Sequence, residues 1–160
     1  MNILIIDGLI KSNGHTDKLL DKHIASLKAS SITRIVLRDS NISHCTDCGG
    51  CGGSNGCIIL DDMQKIFDAS KLADYCIIAS PVVFGNTTAY VQTALSRFQS
   101  MYNGDFSVLP KVGKLKKGAI IITAGGSGGG TEAVIKTMRL FLKMLNVSDI
   151  EIIANYNTDK

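Results

Sequence analysis

Four of the five cysteines fall in one short run, Cys45-x2-Cys48-x2-Cys51-x5-Cys57, interleaved with Gly49, Gly50, Gly52, Gly53 and Gly56. Thiolates are soft ligands, and a spacing this compact suits a [4Fe-4S] cluster or zinc. The glycines let a loop wrap its ligand closely. Unmetallated thiols and a Cys-x2-Cys disulfide are the open alternatives. Cys76 lies in an apolar run and reads as a buried small hydrophobe. The histidines are not spaced as a ligand set, and His23 reads as a helix-surface or boundary residue.

Three other segments are suited to hold a ligand through backbone and shape. Gly8-Leu9-Ile10-Lys11-Ser12-Asn13-Gly14-His15-Thr16 contains no carboxylate and leads into a helix. Free N–H groups and the positive end of the helix dipole favour a phosphate there, with Lys11, Ser12, His15 and Thr16 as further donors. A plain turn at Asn13-Gly14, capped by Ser12 or Thr16, is the alternative. Ser80-Pro81-Val82-Val83-Phe84-Gly85-Asn86-Thr87 has an apolar middle that a flat aromatic ring would cover; self-packing or a subunit contact is the alternative. Gly125-Gly126-Ser127-Gly128-Gly129-Gly130 lets backbone approach a ligand closely, in a place where a flexible linker has no use. Lys111, Lys114, Lys116 and Lys117 form a basic patch, read as a solvated loop or as steering for an acidic redox partner or the 2′-phosphate of NADPH.

Positioning these segments falls to an alternation of strands and helices. Ile3 to Ile6 is a continuous apolar run ending at Asp7-Gly8, the pattern of a buried parallel strand. Leu19, Leu20, Ile24 and Leu27 recur at helical spacing between His15 and Lys28. Ile32 to Leu37 predicts a second strand, and Asp61 and Asp62 are placed to cap a helix through Met63, Ile66, Phe67 and Leu72. Tyr75 to Ala79 predicts the third strand, followed by a helix through Val91, Ala94, Leu95, Phe98 and Met101. Ala119 to Thr123 predicts the fourth, followed by a helix through Val134, Met138, Phe141, Leu142 and Leu145, then Val147 to Ala154 as the fifth.

The prediction is an α/β fold, a doubly wound five-stranded parallel sheet in the order 2-1-3-4-5, with ligand loops outside the carboxyl ends of strands one, three and four. Lys160 follows the fifth strand closely, so a last covering helix has no sequence to form it, and one sheet face is expected to be bare unless a partner subunit covers it. A phosphoacceptor aspartate at the end of strand three would mark a signalling receiver domain; Ser80-Pro81 stand there instead.

A chain of 160 residues, 45% hydrophobic and 19% charged, fits one domain over 1–160 with a core of its own. A net charge of +3 gives no nucleic-acid footprint. The opening apolar run is too short for a signal peptide or a membrane span, so the expected setting is cytoplasmic. In a reducing compartment, clustered cysteines point to metal or redox chemistry before disulfides.

These residues resemble the NADPH-dependent FMN reductase and iron-sulfur flavoprotein branch of the flavodoxin-like superfamily, nearly end to end. The family's phosphate loop, Gly-Ser-x-Arg-x-x-Gly-Asn-Thr, is matched at Gly8, Gly14 and Thr16, with Lys11 for its arginine, His15 for its asparagine and Leu9 for its serine. Its Ser-Pro-Val-Tyr-x-Gly-Asn loop is matched at Ser80, Pro81, Val82, Gly85 and Asn86, with Val83 for its tyrosine. The cysteine run followed by Asp61-Asp62-Met63 is similar to the iron-sulfur branch. The resemblance implies FMN, with phosphate at Lys11, Ser12, His15 and Thr16. The ring would lie at Pro81, Val82, Val83, Phe84, Gly85 and Asn86 and at Gly125, Gly126, Ser127 and Gly128. Cys45, Cys48, Cys51 and Cys57 would ligate a [4Fe-4S] cluster. It further implies hydride delivery from NAD(P)H to flavin N5 without a side-chain acid or base, a redox acceptor as partner, and a homodimer or homotetramer. A noncatalytic electron carrier and a cofactor-free relative of the fold are the alternatives.

Overall fold

Ile3 to Ile6 and Ile77 to Ala79 put apolar side chains on both faces of their strands, so both strands must lie inside a sheet covered on each side. The computed structural model of the chain describes residues 1–51, 56–101, 114 and 116–159, and it places these two strands side by side at the centre. The strands β1 (Asn2–Asp7), β2 (Ser31–Val36), β3 (Tyr75–Pro81), β4 (Lys116–Thr123) and β5 (Val147–Asn155) pair in parallel in the order β2-β1-β3-β4-β5. The expected doubly wound, flavodoxin-like sheet is the one observed.

The helices α1 (His15–Ser26), α2 (Met63–Leu72), α3 (Ala89–Ser96) and α4 (Thr131–Met144) divide unequally between its faces. On one face Leu4, Ile6, Cys76, Ile78, Ile120 and Ile122 pack with Met63 and Ile66 of α2, Val91 and Ala94 of α3, and Val134, Met138 and Phe141 of α4. On the other, Ile3, Ile5, Ile77, Ala119 and Ile121 meet Leu20 of α1. Each buried Ile, Leu, Val, Met or Phe among them contributes about 1.5–3 kcal/mol by leaving water. Among the described residues no helix follows β5, whose Ser148, Asp149, Glu151 and Asn155 stay exposed. Residues 156–159 turn back instead, with the N–H groups of Asn157 and Thr158 donating to Gly126 and Ala124 carbonyls.

Several boundaries differ from expectation for tertiary reasons. The third helix keeps α geometry only to Ser96 and tightens into a 3-10 turn over Arg97–Met101. Asp62 sits at the N-cap of α2, but its carboxylate accepts from the Asn41 N–H; Asp61 instead accepts from the Met63 N–H at 3.0 Å. His23 is half-buried, and its Nε2 lies 3.3 Å from the Tyr75 hydroxyl.

Among the described residues, the lysines of the expected basic patch each have their own partner. Lys116 is a buried residue of β4 whose Nζ donates to the Leu145 carbonyl, Lys114 pairs with Asp74, and Lys117 pairs with Asp149. Lys111 lies outside the described residues. Lys116 and Lys117 open β4 at its amino end, the sheet edge opposite the ligand loops, so they cannot guide a nicotinamide phosphate to those loops.

Candidate functional site

The parallel order brings the loops after β1, β3 and β4 to one edge of the sheet. They are tied together before any ligand is considered. The Gly8 N–H donates to the Ala79 carbonyl at 2.9 Å, the Thr88 hydroxyl donates to the Gly8 carbonyl at 2.8 Å, and the Val82 N–H donates to the Thr123 carbonyl at 2.8 Å. A Cβ on Gly8 would lie 2.2 Å from Val91 Cγ2, so only glycine permits this approach.

In the first loop, Leu9 is buried in the core, so the side chain that stands for the family's serine points away from solvent. Lys11, Ser12 and His15 are exposed. The N-cap of α1 is Gly14 and no side chain caps the helix, which leaves its first N–H groups to an outside acceptor. Thr16 is buried instead of presented: its hydroxyl lies 2.6 Å from that of Thr123 at the end of β4. Asp17 accepts from the Asn13 N–H at 2.7 Å and from Arg34 at 2.6 Å. Burial opposes its ionisation, but Arg34, the Asn13 N–H and the charge of Arg38 outweigh that and hold its carboxyl below the ordinary range. Arg34 also bonds Asp7, so the two carboxylates beneath the loop are matched by a guanidinium. Arg38 donates to the Ser12 hydroxyl at 2.9 Å, which adds its charge to those of Lys11 and Arg34 at this loop.

In the second loop Val83 and Asn86 pair across a tight hairpin, with Phe84 (φ 46°) and Gly85 (φ 74°) as its central residues. Both are left-handed, as a primed hairpin turn requires. For phenylalanine that conformation costs roughly 1–2 kcal/mol. Its ring recovers none of this by burial, being 106% exposed. The turn thus holds an aromatic ring in solvent at a backbone conformation that costs free energy. Val82 packs partly into the core, and Asn86 turns its amide oxygen to the Thr87 N–H and Gln92.

The third loop meets the second. Gly126, Gly128 and Gly130 are left-handed, and a Cβ on Gly130 would come 2.5 Å from Gly85 Cα. Gly125, Gly126 and Ser127 are exposed, while the ring of Tyr156 covers Gly128 and the Asp159 carboxylate accepts the Gly126 N–H at 2.9 Å.

The cysteine loop leaves the same edge beyond β2. Cys45, Cys48, Cys51 and Cys57 all line one cavity of about 150 Å³, together with Arg97. Gly52 and Gly53 lie outside the described residues. Among the described residues no three ligating groups are already gathered as a metal site. The donor set is nevertheless of one soft chemistry, opens on one space, and has a buried guanidinium against it, with Arg97 Nη2 3.3 Å from Cys57 Sγ. Cys76 is separate: burial in β3 pushes its thiol up to about 12, which leaves it protonated and inert.

Arg97, Arg34, Asp17 and Arg38 were not expected as site residues. The signal for Arg97 was an arginine between Leu95 and Phe98 on an apolar helical stripe, and that for Asp17 its place just after the first loop; Arg34 and Arg38 lack one, because strand pairing brings them to the loop.

A parallel sheet in this order, with an uncapped helix N-terminus, an apolar hairpin and a glycine loop on one edge, is the flavodoxin-like arrangement. This chain belongs to the NADPH-dependent FMN reductase family, whose model matches residues 1–159. It is similar to an iron-sulfur flavoprotein of Methanocaldococcus jannaschii, 29% identical over 98% of this chain and 80% of that one. An iron-sulfur flavoprotein of Methanosarcina thermophila is 26% identical over 86% of this chain and 71% of its own length. Among solved structures, an FMN-dependent NADH-azoreductase from Bacillus anthracis in complex with FMN shares the fold with a TM-score of 0.70 at 16% identity, over 98% of this chain and 87% of that one. No helix among the described residues is long and apolar enough to cross a membrane.

Proposed function

We propose that this protein is an FMN-dependent oxidoreductase that accepts hydride from NAD(P)H and passes electrons to an acceptor, with Cys45, Cys48, Cys51 and Cys57 as ligands of a [4Fe-4S] cluster. The observation that carries the flavin reading is the convergence of three features on one sheet edge: the uncapped N-terminus of α1, the Phe84–Gly85 turn, and the glycine loop packed against that turn.

The residues divide the work by chemistry. First-turn N–H groups of α1, with Lys11, Ser12 and His15, hold the phosphate, and Arg38 adds charge beside Ser12. Thr16 acts from behind by bonding Thr123, which fixes the start of α1 against the end of β4. Pro81, Val82, Val83, Phe84, Gly85 and Asn86 offer an apolar shelf and exclude water on one side of the ring. Gly125, Gly126, Ser127 and Gly128 bring backbone to its edge; the Gly126 N–H is held by Asp159 and that of Gly128 by the Gly125 carbonyl, so this wall acts through close approach, with backbone dipoles tuning the potential. Bound FMN supplies the hydride and electron chemistry, so no side-chain acid or base is required. A bound cluster would supply one-electron transfer. Assembly as a homodimer or homotetramer belongs to this reading, with the exposed face of β5, Ile152 included, as the surface it would cover.

The test is anaerobic mixing of the FMN-loaded protein with NADH or NADPH. Bleaching of the flavin band, and turnover once an acceptor is added, is the expected result. A flavin that is reduced only by other electron donors would make the protein a noncatalytic carrier.

A further inference from the structure

Arg97 is a charged side chain only 1% exposed, and a flavin at the three loops makes no use of it. Its Nη1 donates to Asp61 Oδ2 at 2.5 Å and to the Ser43 carbonyl at 3.0 Å. Its Nη2 donates to the Ile59 carbonyl at 3.0 Å and to Cys57 Sγ at 3.3 Å. Every one of these acceptors lies in the segment that carries the cysteines, and Nε is buried with no acceptor among the described residues. Ser96, the preceding residue, accepts the Cys45 N–H at 3.0 Å, so the end of α3 grips both ends of the cysteine run.

Burying a guanidinium is costly; Asp61 balances its charge through Nη1, and Nη2 is left facing Cys57 Sγ as a charge-assisted donor. A neutral thiol is a weak acceptor and would not call for a charged donor; a metal-bound thiolate would. Hydrogen bonds to ligand sulfurs orient the ligand and set the potential of an iron-sulfur centre. A positive charge with an N–H donor favours the more negative, reduced form.

We propose that Arg97 is the positioning residue of the cysteine centre: its Nη2–H···Sγ bond fixes Cys57 as a ligand and raises the reduction potential of the bound cluster. This rests on the iron-sulfur reading of the four cysteines.

The experiment uses the full chain loaded anaerobically with FMN, iron and sulfide. It compares the wild type with Arg97→Lys and with the double variant Asp61→Asn/Arg97→Gln, which leaves no buried charge unpaired. Iron and sulfide per chain, the cluster midpoint from a titration followed by electron paramagnetic resonance, and FMN affinity are read on each. The expected result is a cluster midpoint shifted to more negative potential in the double variant, or loss of its iron, with FMN affinity unchanged, and a smaller effect in Arg97→Lys. Iron content and midpoint equal to wild type in the double variant would overturn the assignment, as would parallel loss of iron and FMN affinity, which marks a merely structural residue. A wild type that takes up no iron would overturn the iron-sulfur reading and this inference with it, whereas an iron-loaded wild type with unmoved variants overturns this inference alone.

Discussion

Gly85 and Gly130 meet backbone to backbone, both with positive φ, so closely that a Cβ on Gly130 would lie 2.5 Å from Gly85 Cα. Two loops far apart in the chain are thereby locked into one wall. Gly130→Ala is expected to destabilise the fold by roughly 1–3 kcal/mol, from overpacking and strain at a left-handed position. It should also weaken FMN binding at least ~10-fold, about 1.4 kcal/mol. Gly129→Ala, where a Cβ meets nothing within 4 Å, should leave both near wild type. Urea unfolding and quenching of FMN fluorescence measure the two effects.

Phe84 separates stability from binding. Its ring is fully exposed, so Phe84→Ala should change stability by no more than about 0.5 kcal/mol. If the ring covers the flavin, the same change weakens FMN binding by about 0.5–1.5 kcal/mol, read by fluorescence titration. Equal affinity in the two proteins would move Phe84 from the flavin to a subunit contact.

Acid should act through Asp17 and Asp61. Burial resists the ionisation of Asp61, yet the N–H groups of Ser43 and Met63 and the Arg97 guanidinium hold it below the ordinary carboxylate range, and Asp17 behaves likewise. A depressed folded-state value means that each contributes stability present above its unfolded value of about 3.9 and lost as pH falls through the lower folded one. The urea midpoint should therefore hold level from about pH 7 to 5 and fall below about pH 4. Asp61→Ala, which strands a buried guanidinium, should cost roughly 3–5 kcal/mol at neutral pH, by urea unfolding.

The cysteines should sort by place. In metal-free native protein, iodoacetamide should label Cys48, which is exposed, and spare Cys76, whose buried thiol is pushed up to about 12. Peptide mass mapping before and after unfolding reads the difference; rapid native labelling of Cys76 would contradict the burial of β3.

Strand order and the three loops were legible because unbroken runs such as Ile3 to Ile6 admit few places in an α/β sheet, and the right-handed crossover rule fixes the rest. Side-chain direction was not legible. Thr16 was expected as a phosphate donor, and the turn of α1 also brings its hydroxyl to 2.6 Å from that of Thr123, on a strand the local sequence cannot see. Lys116 looked solvated, yet the end of α4 offers its ammonium a carbonyl inside the core. Arg97 drew no expectation, because the acceptors that justify its burial lie 36 to 54 residues earlier in the chain.

The most direct measurement is the visible spectrum of the protein purified without oxygen, with iron and sulfide assayed on the same sample. Flavin bands, plus a broad shoulder that bleaches on reduction and about four irons per chain, are predicted. A colourless protein that also fails to bind added FMN would contradict the flavin site at the carboxyl edge of the sheet.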